Sequence, residues 1–204
     1  KGGTRYSLQA TVGRPGFYDY PGSDLAVVAG DEFMIESQYL GKVATATTVV
    51  PSKPTQVGAN PDQLGVQELT FGAGRGKFLN DDTTAVQVTW ANPEGESYYV
   101  TLENIESDPS PIFEPPAGFE NRRPIRFVSI PVNSQEYRIT RRSVEFFGTH
   151  MVKVYRVNRE YVDLFISRNQ DPQDLNEPLS NVPGGLGIFP AFNSDSVLIE
   201  VVSQ

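Results

Sequence analysis

The chain has 204 residues, a formal net charge of -8 and no cysteine. That balance excludes disulfides, thiolate metal sites and cysteine nucleophiles. It also argues against general affinity for nucleic acid or anionic membrane, both of which reward clustered cations. Eighteen glycines and sixteen prolines signal many turns and suit a mainly β chain of one or two domains, long enough to bury a core without staples.

Residues 1–23 combine Tyr6, Phe17, Tyr18 and Tyr20 with Gly13, Gly16, Pro21 and Gly22. Residues 6–12 have strand composition and the remainder reads as loop. Leu25 and Val27 alternate before a turn at Ala29-Gly30-Asp31, and Phe33 and Ile35 alternate after it. A second turn at Leu40-Gly41-Lys42 leads into the β-branched run 43–50. This order predicts a three-stranded antiparallel meander. Pro51-Ser52-Lys53-Pro54 and the polar stretch through Gln63 read as an inter-domain linker. Leu69 and Phe71 are candidates for the first strand beyond it.

The most sharply patterned stretch is 83–102. Val86, Val88 and Trp90, the chain's only tryptophan, share one side of an extended chain, and Tyr98, Val100 and Leu102 repeat the pattern after Asn92-Pro93-Glu94-Gly95. Period two with β-branched and aromatic enrichment predicts an antiparallel hairpin with one buried face, the nucleus of a β-sandwich. Residues 108–124 are Pro-rich and irregular. Strands are predicted at 125–130, 137–140 and 151–157, the last central because it is apolar on both faces. Asn158 as N-cap, Glu160 in the first turn, and Tyr161, Leu164 and Phe165 at helical spacing predict one helix to about Arg168, covering an end of the sandwich. Residues 169–181 read as loop, and 186–189 and 196–202 as closing strands.

Chemistry-bearing residues are sparse. Gly72-Ala73-Gly74-Arg75-Gly76-Lys77-Phe78 has the wrong spacing for a phosphate loop, and Phe78 stands where Ser or Thr is needed. His150 is the only histidine, which removes any site needing two, and it reads as a polar residue at a strand edge. No G-x-S-x-G turn offers a serine nucleophile. Asp81-Asp82, Glu94 with Glu96, and Asp171, Asp174 and Glu177 are the carboxylate sets a glycosidase would draw on, each in a predicted turn. Asp171-Pro172-Gln173-Asp174 lacks the calcium-loop glycine and spacing. Arg122, Arg123, Arg126, Arg138, Arg141 and Arg142 form a basic cluster within an acidic chain. Phe17, Tyr18, Tyr20, Phe113 and Phe119 are loop aromatics able to stack on a sugar or enter a partner. No catalytic, cofactor or metal residue is assigned.

Gly30-Asp31-Glu32-Phe33-Met34-Ile35, then Ala44-Thr45-Ala46-Thr47-Thr48-Val49-Val50-Pro51 and Pro54, stand at one end. Ser180-Asn181-Val182-Pro183-Gly184-Gly185-Leu186-Gly187-Ile188-Phe189-Pro190-Ala191-Phe192 stands at the other, with 94–100 and 154–161 between. In this order the chain resembles, over about residues 24–204, the Bacteroidetes family of cell-envelope lipoproteins catalogued as domain of unknown function 4249. Members of that family usually begin with a lipoprotein signal, an acylated cysteine and a fuller immunoglobulin-like N-terminal unit. The chain begins at Lys1-Gly2-Gly3 without them, which suggests a trimmed or divergent member. The resemblance implies an outer-membrane or periplasmic location and company with TonB-dependent transporters; it supplies no catalytic residues.

The expectation is therefore a mainly β protein. A partial immunoglobulin-like β-unit spans 1–55, and an immunoglobulin/fibronectin type III-like β-sandwich with one short helix spans 56–204. Fold-level likeness licenses no function. The expected function is a non-enzymatic, outer-membrane lipoprotein-type binding or scaffolding protein, accessory to a TonB-dependent nutrient uptake system. Its partners would be an outer-membrane transporter, another envelope protein or a glycan, and not nucleic acid; membrane attachment would run only through an N-terminal lipid absent from this chain. Location would be the periplasmic or cell-surface face of the outer membrane. Candidate contacts are Phe17, Tyr18, Tyr20, Phe113, Phe119, Arg122 and Arg123. The alternative is a carbohydrate-binding module using loop aromatics, and a carboxylate-based hydrolase ranks third. Gly184, Gly185 and Gly187 are expected where the backbone needs positive φ or close approach.

Overall fold

Strand is the commonest regular structure among the described residues, as the period-two patterning leads one to expect. The structure, a computed structural model, describes residues 1–67, 84–113, 126–167 and 180–204. The protein is mainly β, with one α-helix among the described residues. It forms two compact units: Lys1–Ser52 with Asn158–Phe192, and Lys53–Val157 with Asn193–Gln204. The break after Ser52 falls in the Pro-rich stretch, but residues 158–192 group with the N-terminal unit and not with a sandwich spanning 56–204.

In the first unit β1 (Gln9–Ala10) pairs antiparallel with β2 (Tyr18–Asp19), and β3 (Glu32–Tyr39) pairs with β4 (Lys42–Val49) from Glu32↔Val49 to Tyr39↔Lys42. Ala46, Thr48 and Val50 are buried, while the opposite face, with Met34 and Val49, is exposed. The strand expected around Leu25 and Val27 is absent. Two alternating apolar residues are too few, and their backbone is held otherwise: Lys1 Nζ donates to the Ala26 carbonyl at 2.7 Å and the Val28 N–H to Asp31 Oδ2 at 2.8 Å. The helix α1 (Arg159–Ser167) starts after Asn158 as predicted. Asn158 Nδ2 donates to Thr48 Oγ1 at 2.7 Å, and Tyr161 meets Phe192 edge to face at 5.1 Å, so α1 belongs to this unit. Residues 186–189 form irregular loop, not a strand.

The second unit is the sandwich. A three-stranded sheet runs in the order β10-β7-β5, formed by β5 (Gly58–Asn60), β7 (Ala85–Thr89) and β10 (Glu136–Thr140). A five-stranded sheet runs β6-β12-β11-β8-β9, from β6 (Gln63–Val66), β8 (Ser97–Asn104), β9 (Phe127–Val128), β11 (Gly148–Val157) and β12 (Phe192–Ser203). Their inner faces share one core containing Leu64, Val86, Val88, Trp90, Tyr98, Val100, Ile139, Val152, Val154 and Ile199. Full burial of each aliphatic side chain is worth roughly 1.5–3 kcal/mol. β11 is flanked by β12 and β8, as its two-sided apolar sequence predicts.

Two expectations change here. The stretch through Gln63, read as linker, contains the strand β5 and the first residue of β6. The chain leaves β5, which pairs with β7, and enters β6, which runs parallel to β12 in the other sheet. Leu64 and Val66 are buried, a signal too short to stand out beside Pro61 and Asp62. Nor do β7 and β8 form a hairpin. β7 pairs with β10 and β5, and β8 with β11 and β9, so residues 91–96 arch from one sheet to the other. Alternation reports one buried face, not the neighbour on either edge. Asn92 fixes the arch: Oδ1 accepts from the Glu96 N–H at 2.8 Å, and Nδ2 donates to the Glu96 and Asn133 carbonyls at 2.9 and 3.0 Å. Trp90 and Tyr98 then face each other across the core, ring centres 5.4 Å apart.

Candidate functional site

The aromatics singled out in the sequence are divided between the two units. Phe17 and Tyr18 lie on the β1–β2 ribbon and are exposed, but the Arg14 guanidinium sits 4.1 Å over the Phe17 ring. The Tyr20 hydroxyl donates to Asp24 Oδ1 at 2.7 Å and its ring meets Tyr6 edge-on at 5.2 Å. The bond to Asp24 raises the Tyr20 pKa. Two of the three rings that a sugar platform would need in this unit are thus committed within the chain. Phe113, in the second unit, is partly exposed beside the Pro111↔Phe146 bridge. Phe119, Arg122 and Arg123 lie outside the described residues.

The basic cluster spreads over separate elements. Arg126, just before β9, donates to the Tyr155 hydroxyl at 3.0 Å, and Tyr155 stacks on Tyr99 at 4.6 Å with planes 4° apart. Arg138 is on β10, and Arg141 and Arg142 are in a 3₁₀ turn. Arg141 is half-buried, donates to the Val144 carbonyl at 3.2 Å, and burial pulls its pKa down.

The acid–base candidates have structural partners. Glu94 and Glu96 both pair with Arg156, at 3.2 and 2.7 Å. Asp81, Asp82, Asp171, Asp174, Glu177 and the Gly72–Phe78 run lie outside the described residues. His150 is not a strand-edge residue: it lies inside β11, faces the core and is 3% exposed. Its Nδ1 donates to the Gly148 carbonyl at 2.9 Å, which leaves Nε2 to accept from Asn104 Nδ2 at 3.4 Å. Burial lowers its pKa, outweighing the Gly148 bond and the charges of Glu200 and Glu106. Among the described residues no three His, Asp or Glu side chains are placed to hold a metal ion.

A different feature collects accessible apolar surface, the tip of the β3–β4 hairpin. The strands are joined by Leu40-Gly41, with φ of 48° and 76°. That is type I′ geometry, which matches the strands' twist and favours Asn-Gly or Gly-Gly. Leucine is badly suited to it, because its Cβ crowds the backbone at positive φ. Yet Leu40 is 84% exposed and Tyr39 76%, with Val43 about half exposed beside them. The ladder persists to Tyr39↔Lys42, so these side chains stand on a paired ribbon up to the turn.

A second segment of the same unit braces this tip. The Thr45 N–H donates to the Pro183 carbonyl at 3.0 Å. Gly184, at φ 80°, lies where a Cβ would collide with the Val43 carbonyl oxygen. Both reasons for a glycine, positive φ and close approach, therefore operate at Gly184. The loop holds itself together through Ser180 Oγ to the Gly187 carbonyl at 2.9 Å and the Phe189 N–H to Asn181 Oδ1 at 2.8 Å. Leu186, two residues and at most about 8 Å of chain from Gly184, is 78% exposed. Residues 37–48 and 180–189 contain one charged residue between them, Lys42, which makes no ion pair among the described residues.

Sequence reading identified this turn but not its surface. The available signal was leucine where a two-residue hairpin turn favours asparagine or glycine. No protein-family model matches the chain, and no curated protein matches it.

Proposed function

We propose that the chain is a non-enzymatic binding or scaffolding protein of the cell envelope, of the outer-membrane lipoprotein type and accessory to a TonB-dependent uptake system. The observation that carries the binding part is the exposed apolar hairpin tip, Tyr39 and Leu40, presented on a braced β-ribbon. Apolar surface of this kind, nearly free of charge on an otherwise acidic chain, suits contact with another molecule. Commitment of Glu94 and Glu96 to Arg156 supports reading those carboxylates as structural. The envelope location and the transporter rest on the family resemblance of residues 24–204.

The test is affinity purification of the protein from solubilised outer membranes, with quantification of what accompanies it. Stoichiometric recovery of a TonB-dependent transporter is the expected result. Recovery of glycan alone would replace this reading with the carbohydrate-binding one.

A further inference from the structure

We propose that the Tyr39-Leu40 tip is a contact knob that enters an apolar pocket on a partner protein, with acidic groups on the pocket rim receiving Lys42. This deepens the binding reading and rests on it. Three observations support the assignment. Leu40 occupies left-handed backbone that disfavours it by roughly tenfold or more relative to glycine, so local stability alone does not account for an isobutyl group there. Pro183 and Gly184 hold the hairpin at Val43–Thr45, immediately below the tip, which limits the ordering needed on binding. The segments that form and brace the knob, residues 37–48 and 180–189, carry Lys42 as their one charged side chain, on a chain of net charge -8.

The shape selects the occupant. A narrow convex tip with two protruding side chains needs a concave receptor, the arrangement in which a few aromatic and aliphatic anchors dominate an interface. A lipid surface is a poor match. A whole myristoyl chain binds membranes only marginally, the knob offers less apolar surface, and net negative charge opposes anionic headgroups. Tip-to-tip pairing of two copies would set Lys42 against Lys42, and a narrow tip offers no concavity to receive another.

A photoreactive benzoyl-phenylalanine placed at position 40, and separately at exposed Thr47 of β4, tests this in irradiated outer membranes. The expected result is one protein adduct from position 40 and none from position 47. Its cross-linked peptide should map to an apolar concavity bordered by Asp or Glu. Lys42→Glu should reduce that adduct at least tenfold without shifting the melting temperature. An adduct of twice the chain mass, an adduct to lipid, an adduct indifferent to Lys42→Glu, or no adduct would each overturn the proposal. If affinity purification still recovers a partner when position 40 gives none, the knob is wrong and the binding reading stands. If neither method recovers one, both fall.

Discussion

The connection from β7 to β8 and the connection from β3 to β4 both join alternating strands through a short turn containing glycine, and they end in opposite places. The first arches between two sheets and sends Trp90 and Tyr98 into the core. The second closes a true hairpin and leaves Tyr39 and Leu40 in solvent. What separates them is the turn and what holds it. Residues 91–96 are tied by the Asn92 side chain to backbone at 96 and 133, which fits a crossing and not a ladder. Leu40-Gly41 is too short to cross anything, so its strands must pair. Similar alternation therefore yields a structural anchor in one place and a display surface in the other.

The sharpest way to break this contrast is to empty the core side of it. Trp90→Ala should cost about 3–5 kcal/mol, read as loss of the cooperative unfolding transition by circular dichroism in denaturant. A Tyr39→Ala change should leave that transition in place, because Tyr39 buries little. Asn92→Ala strands the Glu96 and Asn133 backbone groups and should destabilise by about 1–3 kcal/mol, measured the same way. On the hairpin side, Gly184→Ala combines a positive φ with a collision against Val43 and should cost about 1–3 kcal/mol. Faster hydrogen exchange at the Thr45 amide would report it.

Mild acid sharpens the comparison further, because between pH 6.5 and 5 it acts on the sandwich through His150. The folded-state pKa of His150 is held below the ordinary 6.5 by burial, so the unfolded chain takes up the proton first. The stability this contributes is complete above pH 6.5 and declines as pH falls toward the folded value, where a proton on Nε2 would face the Asn104 amide. His150→Gln should flatten the stability profile between pH 6.5 and 5. Unchanged slope in the variant would mean that another group carries the acid sensitivity.

Much of the sandwich was legible. Val86, Val88, Trp90, Tyr98, Val100 and Leu102 are buried as their alternation requires, and β11 and α1 start or lie where composition places them. Partner choice between strands was not legible, because period two carries no information about which edge a strand offers to which neighbour. β5 and β6 were hidden because Pro61 and Asp62 interrupt two very short strands at the passage between sheets. The burial of His150 was not legible, because a polar residue can be buried where Gly148 and Asn104 satisfy its ring nitrogens, and neither partner is predictable from spacing. The tip was half legible: the turn was read, but its exposure and the brace from 183–185 depend on contacts between residues some 140 apart.

Leu40→Asn tests the central claim most directly, because the turn prefers asparagine and the proposed partner should not. One sample, measured for melting temperature and for partner retained from solubilised outer membranes, gives the answer. The account predicts an unchanged or higher melting temperature, with stabilisation of up to about 1 kcal/mol, together with at least tenfold lower retention. Full retention at the higher stability would contradict it and return the hairpin tip to ordinary surface.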